Sequence, residues 1–490
     1  MACGSGQSIL EAGRQPRATT TTASLPPTIQ GRSTLPPAST IPPTTLPTLL
    51  ETLPPCNPAA LDQAASRGPV EITFWHGLSN ELGRELERET DLFNSSQDRV
   101  TVNLQYQNSY ELTIDKYLQS NLDSRPDMVQ TPEYALQLMI DTKSTVPIQA
   151  CIDADQYDTS AFIPAVLDAY ATQGVQWSMP YNVSNPVLFY NKKMFAAAGL
   201  DPEAPPLTLD QVGEFGNAIQ TSGAAAYGLA VDTPPDGGGG WYLEQWLGKE
   251  GQLYSDNENG RIAPSTQVLW DQPAAVNLVT QLRDVVTSGG GIFVGENPSG
   301  QDSLLKLADT KQPAAMTITT SAALGAVLGF IDGGIIPGLT RADLGVGPMP
   351  SPSGKAGATV GGASLWIVAG KGDEKTAAAW EYIQFLDSPT MQSEWAAATG
   401  YVPVRTDALQ LDPIKGVYAN DQRFKVAYDQ LLAAGQGSAA AGPVLGPLRE
   451  VRVLAAQAIT AILNGADPQQ TLTDAAQLAN TLIDEYNRRS

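Results

Sequence analysis

From Val70 to Phe74 apolar and polar residues alternate as Val-Glu-Ile-Thr-Phe, the period-two pattern of a strand with one face on a core. Apolar positions then return at helical spacing through Leu82, Leu86 and Phe93, which predicts a helix over Asn80–Phe93. Val100, Val102, Leu104 and Tyr106 alternate with Thr101, Asn103 and Gln105 and predict a second strand. Strand, helix and strand in so short a span form a crossover unit, which requires the two strands to run parallel. Helical periodicity recurs at Thr376–Leu386 and Arg449–Leu463, so the fold class is α/β.

Ahead of these elements the pattern stops. From about Arg17 to Pro55 the chain is almost wholly Thr, Pro, Ser and Leu, as in TTTTASLPP and STIPPTTLPTLLETLPP. Such a stretch buries no core and favours extended conformations, so residues 1–67 are expected to be a disordered Thr/Pro linker before a globular part that begins near Gly68. The opening MACGSG has no charged or apolar leader, yet Ala2-Cys3-Gly4-Ser5 resembles the end of a bacterial lipobox. Cys3 is therefore expected to be a lipid anchor, with the true start upstream and the linker acting as a stalk; an ordinary exposed cysteine is the alternative. The runs Asp232–Gly240 and Gly289–Gly291 read as surface loops, and the first lacks the lysine of a phosphate-cradling loop.

At 490 residues and 42% hydrophobic content the chain has length for two or three domains with real cores. Acidic residues outnumber basic ones 51 to 29, a formal charge of −22. A surface that negative repels nucleic-acid phosphates and anionic lipid heads, so neither is an expected partner; a small anion is decided locally, by one arginine in a closed pocket. No apolar run reaches the roughly 18 residues needed to span a bilayer. His76 is the sole histidine, which leaves zinc sites and His-based nucleophilic catalysis without their usual partners, so no metal and no cofactor are expected. His76 itself is read as structural or as a donor in a turn. Asp256, Glu258 and Gly260 look like part of a calcium loop but lack the downstream bidentate glutamate. Cys56 and Cys151 are a candidate disulfide in the oxidising surroundings of an exported protein, with free buried thiols as the alternative.

Five stretches, in order, resemble the glycerol-3-phosphate-binding proteins of bacterial importers. They are Phe74-Trp75-His76-Gly77 with Glu81-Leu82-Gly83; Pro180-Tyr181-Asn182-Val183-Ser184-Asn185-Pro186-Val187-Leu188-Phe189-Tyr190-Asn191-Lys192; Ala198-Gly199-Leu200-Asp201-Pro202; Gly361-Gly362-Ala363-Ser364-Leu365-Trp366; and Thr399-Gly400-Tyr401-Val402-Pro403. The resemblance spans roughly residues 68–490. It implies two α/β lobes of the periplasmic-binding-protein type, joined by a hinge the chain crosses more than once, with ligand held between them. It also implies an extracytoplasmic monomer, at the cell surface or in the periplasm, that presents its closed form to the membrane permease subunits of an ABC importer. By resemblance one lobe combines 68–180 with 320–365 and the other 181–319 with 366–490.

The resemblance also implies a ligand set. Tyr110 contacts the ligand's polar end, Glu133 accepts from its hydroxyls, and Ser184 contacts it as well. Thr320 stands where the family has serine, Gly362 offers a backbone N–H where a side chain would block approach, Tyr401 supplies a phenol, and Arg452 grips the phosphate. A guanidinium suits that last role because its planar fork fits phosphate oxygens and stays charged when desolvated. One departure stands out: where the family typically has tryptophan after Thr, this chain has Thr208-Leu209. The smaller Leu209 leaves room for a larger head group such as that of glycerophosphocholine, and Trp241 with Tyr242 is placed to meet a choline ammonium. Trp75, Trp366, Trp380 and Trp395 read as core. The expected role is therefore capture of glycerol-3-phosphate or a glycerophosphodiester, without catalysis. The alternatives are a maltodextrin- or disaccharide-type sugar binder on the same fold, which needs no cationic clamp, and, from another class, a two-carboxylate glycosidase for which no carboxylate pair stands out.

Overall fold

Val70, Ile72 and Phe74 are buried and Glu71 faces solvent in β1 (Val70–His76), the first strand of the computed structural model, which describes residues 54–234, 239–288, 290–297, 302–336 and 338–489. Helix α1 (Asn80–Ser96) follows, with Leu86 and Phe93 inward, and leads to β2 (Val100–Tyr106), parallel to β1 from Val70↔Val100 to His76↔Tyr106. The crossover inferred from periodicity is thus realised. Helix α2 (Tyr110–Gln119), β3 (Met128–Pro132), β4 (Thr145–Val146), helix α3 (Pro164–Ala169), the small ribbon β5 (Ala171–Thr172) and β6 (Val175–Gln176), and β7 (Met179–Ser184) come next. One residue later the chain enters β8 (Pro186–Asn191), followed by α4 (Leu209–Ser222), β9 (Tyr227–Asp232), α5 (Gly239–Lys249), α6 (Pro273–Thr287), β10 (Ile292–Gly295), β11 (Ala314–Thr320) and β12 (Leu344–Pro348). Strand β13 (Gly361–Val368), several helices, α7 (Leu448–Leu463) and α8 (Pro468–Asn487) complete the described chain.

These strands form two mixed sheets, one per lobe of a two-lobed binding-protein fold. The first runs β2-β1-β3-β13-β4 with β7 also on β13, and the second runs β10-β9-β11-β8-β12. The chain passes from the first to the second between β7 and β8 and returns between β12 and β13. Every residue of β8 is buried, as expected of a strand covered on both faces, and it lies antiparallel between β11 and β12. Trp366, Trp380 and Trp395 are fully buried and Trp75 nearly so. Helix Asp373–Leu386 packs on β1, and β12 pairs within the second sheet, so sheet membership divides the chain differently at these two stretches from the partition expected above.

Two expectations need correction. The folded part begins before Gly68: helix Ala60–Ala65 buries Leu61 and Ala64, and Cys56 is disulfide-bonded to Cys151. Flanking prolines and small alanines hid this short helix, whereas the stretch up to residue 53, with Cys3, lies outside the described residues. The run Asp232–Gly240 is not a loop throughout. Asp232 ends β9, buried and accepting from the Ser303 backbone N–H at 3.2 Å, and Gly239–Gly240 open α5; residues 235–238, like Gly289, lie outside the described residues. The disulfide closes a sequence separation of 95 residues. Replacing both cysteines by serine is expected to lower stability by about 2–4 kcal/mol, read as a lower urea midpoint with an increased slope.

Behind the first sheet two carboxyl groups are buried. Tyr181 donates to Glu89 Oε2 at 3.1 Å, while Oε1 has no hydrogen bond and only Arg88 Nη2 at 3.9 Å, and Asp387 Oδ2 has no hydrogen bond either. Burial, reinforced by Glu85, pushes the Glu89 carboxyl well above its ordinary value, and burial does the same to Asp387, against the pull of Arg405. Acids raised in the folded state contribute stability below the unfolded carboxylate range, near pH 4, and that contribution is lost as pH rises towards the folded values. Thermal melts are expected to show a higher Tm at pH 5 than at pH 8, and Glu89→Gln should flatten the difference. An unchanged slope in that variant would remove Glu89 from the explanation.

Candidate functional site

Gly77 ends the Phe74-Trp75-His76-Gly77 turn because no side chain fits there: a Cβ would stand 2.8 Å from Ser109 C and Tyr110 N. The close approach brings α2 against β1, with Ser109 capping the helix by accepting from Leu112 N. Tyr110, at the first position of α2, is thereby set beside β7, and Asn182 Nδ2 donates to its Oη at 2.8 Å. The Asn182 Oδ1 accepts from Gln130 Nε2 at 2.7 Å, and Gln130 Oε1 accepts from Gly77 N at 3.1 Å. Tyr401 stacks on Trp395 with ring centroids 5.8 Å apart and shares hydrogen bonds with Asn182 and Tyr110. Burial pushes both phenols upward, so they stay protonated donors. His76 is buried and burial lowers it to about 4, so it remains neutral.

A charged cluster lies where helices of the second lobe meet the first sheet. Arg452, on α7, is 1% exposed. Its Nη2 donates to Glu133 Oε1 at 2.7 Å, and Glu133 directly follows β3. On the other side Nε donates to Glu244 Oε2 at 3.0 Å and Nη2 bonds to Glu244 Oε1, Glu244 being on α5. The Tyr134 ring supports the guanidinium at 4.9 Å. Burial opposes its charge, but Glu244 and Glu133 outweigh that and hold its pKa well above the ordinary arginine value. Burial pushes the Glu244 carboxyl up to about 7, with Arg452 opposing. Arg452, Glu133, Glu244, Ala169, Arg261 and Thr359 help line a space of about 10 Å³, room for a single water. A solute of several heavy atoms enters only if the two lobes separate. At the rim Arg449 Nη1 meets Asp115 at 2.8 Å and Tyr486 donates to Asp141 at 2.9 Å, half-exposed contacts of small energetic weight.

The remaining expected residues sit at strand ends and helix starts of the two lobes. Gly362 has φ +102° and pairs with Val183, and a Cβ there would stand 2.1 Å from the Asn182 carbonyl oxygen. Its neighbour Gly361 pairs with buried Ser184 and lies under the Trp241 indole, whose Cζ2 would be 2.5 Å from an added Cβ. Thr320 ends β11 opposite Pro186, with its hydroxyl accepting from Ala322 N at 3.3 Å. Leu209 is fully buried at the start of α4, after a Thr208–Gln211 capping box, and its N–H bonds to the Ser351 carbonyl. Tyr242 is buried too, donating to the Ile318 carbonyl at 2.5 Å, so its hydroxyl is committed to the fold.

A match to a family model decides what this geometry belongs to: residues 90–425 fit the bacterial extracellular solute-binding protein model. The chain belongs to the bacterial extracellular solute-binding proteins. These extracytoplasmic proteins capture a small solute for the permease subunits of an ABC importer, and the role is binding, not catalysis. The sn-glycerol-3-phosphate-binding periplasmic protein UgpB of Pectobacterium atrosepticum is 28% identical over 88% of this chain and 96% of its own length. The protein of the same name from Yersinia pseudotuberculosis is 27% identical over 86% and 93%. Among solved structures, UgpB from Mycobacterium tuberculosis in complex with glycerophosphocholine matches with a TM-score of 0.67 at 23% identity, over 86% of this chain and 99% of that one. The cyclic alpha-maltosyl-1,6-maltose binding protein from Arthrobacter globiformis matches with 0.69 at 22%, over 85% and 100%. These likenesses show the fold of this solute-binding protein. Among its described residues no helix is long and apolar enough to cross a membrane.

Sequence reasoning missed Glu244, Asn182 and Gln130. Glu244 carried a signal: in Trp241-Tyr242-Leu243-Glu244-Gln245-Trp246-Leu247 a lone carboxylate sits among large apolar residues, and a buried carboxylate needs a cation. Asn182 and Gln130 carried none beyond their place in buried strands.

Proposed function

We propose that this solute-binding protein captures a glycerol phosphate, with a glycerophosphodiester such as glycerophosphocholine preferred over glycerol-3-phosphate itself. The observation that carries the reading is Arg452, a fully buried guanidinium at the meeting of the lobes, beside neutral donors. Trp241 Nε1, Gln245 Nε2, Thr359 Oγ1 and Tyr170 Oη are buried without a hydrogen-bond partner, and solute oxygens would satisfy such groups. Tyr110, Ser184, Thr320, Gly362 and Tyr401 complete the proposed set, with Leu209 and Trp241 beside the head group. The preference for a diester follows from charge. Arg452 already faces two carboxylates, and a phosphate must replace Glu133 on the fork, which frees Glu133 to accept from glycerol hydroxyls. A singly charged diester meets less repulsion from Glu133 and Glu244 than a doubly charged monoester. The lobes divide as the two sheets do, the protein works as a monomer, and Cys3 anchors it by lipid.

A sugar is the second reading, favoured by one observation: Glu133 and Glu244 are strong acceptors of the kind sugar hydroxyls use, and they already neutralise the arginine. A thermal-shift panel of glycerophosphocholine, glycerol-3-phosphate, maltose and trehalose separates the two. Glycerophosphocholine is expected to raise Tm most, since a solute at a hundred times its Kd adds about 2.7 kcal/mol to folded-state stability. A shift with maltose or trehalose alone would overturn the phosphate reading.

A further inference from the structure

Arg261 follows the turn Asp256–Asn259, which packs with helix Ser438–Ala441, itself on α5 of the second lobe. Its guanidinium is committed entirely to backbone carbonyls. On its own side Nε donates to Gly442 O at 2.8 Å and Nη2 to Ala441 O. On the other side Nη1 donates to Asp168 O and Ala171 O, each at 2.7 Å, and Nη2 reaches Ala169 O at 3.4 Å. Those three carbonyls sit at the end of α3 and the start of β5, and α3 packs on β7 of the first sheet. Thr172 Oγ1 returns a bond to the Arg261 carbonyl at 3.2 Å. The final carbonyls of a helix have no partner within it, and five N–H donors in a rigid fork can serve two segments at once. Among the described residues the hydrogen bonds of its guanidinium all go to these carbonyl oxygens, and the Asp168 carboxylate adds a longer-range attraction.

We propose that Arg261 is a closure latch, a positioning residue that holds α3 of one lobe to the Ala441–Gly442 segment of the other. The inference rests on the lobes separating to admit solute, as proposed above. Its bonds across the cleft exist only when the lobes are together, so it raises the closed population whatever the solute is. Apparent affinity scales with the fraction of protein in the binding-competent state, so loss of the latch weakens every solute by one common factor. A residue that touched phosphate would weaken solutes according to their charge.

The test is Arg261→Ala, with Arg261→Lys as a second variant should the first not fold, compared with wild type in two measurements. Titration calorimetry with glycerophosphocholine and with glycerol-3-phosphate is expected to show the same loss for both, roughly tenfold, as for hydrogen bonds to a charged donor. X-ray scattering of the solute-free proteins is expected to show a larger radius of gyration in the variant. A fold that was merely weakened would lower Tm without moving that radius. Unchanged affinity in a folded variant, a loss confined to one solute, or an unmoved radius overturns the latch. If neither solute binds wild type, the proposed function fails, and the scattering comparison still decides the latch.

Discussion

Arg452→Ala is expected to cost about 2–5 kcal/mol of binding to glycerophosphocholine, a loss of roughly 30-fold to several thousandfold by calorimetry. The substitution removes the cation that pairs with Glu133 and Glu244 and leaves both carboxylates facing the incoming phosphate. Stability should fall as well, by up to about 3–5 kcal/mol if Glu244 stays ionised without its partner. Glu244 limits that penalty by taking up a proton, because burial already pushes its carboxyl up to about 7. Arg452→Lys keeps the charge but not the planar fork, and should bind more weakly than wild type and better than alanine. An alanine variant with native circular dichroism and wild-type affinity would place the anion elsewhere.

Gly362→Ala should be nearly as damaging, by a different route. The position needs φ +102°, which an L-residue adopts only with strain of about 1–3 kcal/mol, and its Cβ would meet the Asn182 carbonyl oxygen at 2.1 Å. To relieve that, β13 must move off β7, and Asn182 holds both Tyr110 and Gln130. We expect destabilisation of about 2–5 kcal/mol in denaturant melts together with weakened binding. Gly361→Ala makes the contrast. Its conflict is with the Trp241 side chain, which can shift, so affinity should fall more than stability. Equal stability losses in the two variants would contradict this division.

What could be read in the sequence follows from how each element is buried. β1, α1 and β2 keep one wet face, so their period survives in the pattern. β3 and β8 are buried along their whole length, and Gln130 and Thr131 in β3 are polar as well, so neither strand alternates. Resemblance pointed to Arg452 and Glu133 as separate ligand contacts, but their ion pair is a tertiary fact: they are 319 residues apart in the chain. Helix Ala60–Ala65 is too short and alanine-rich to show a period, and nothing in the sequence around Arg261 reveals the carbonyls that fold against its guanidinium.

The central claim is that one guanidinium changes partners, from Glu133 to a solute phosphate, as the lobes close on it. A crystal structure with glycerophosphocholine bound tests this most directly. The account predicts phosphate oxygens within hydrogen-bond distance of Arg452, Glu133 turned to the glycerol hydroxyls, and Glu244 still on the guanidinium. A phosphate seated away from Arg452, with both carboxylates still in place around it, would contradict the account.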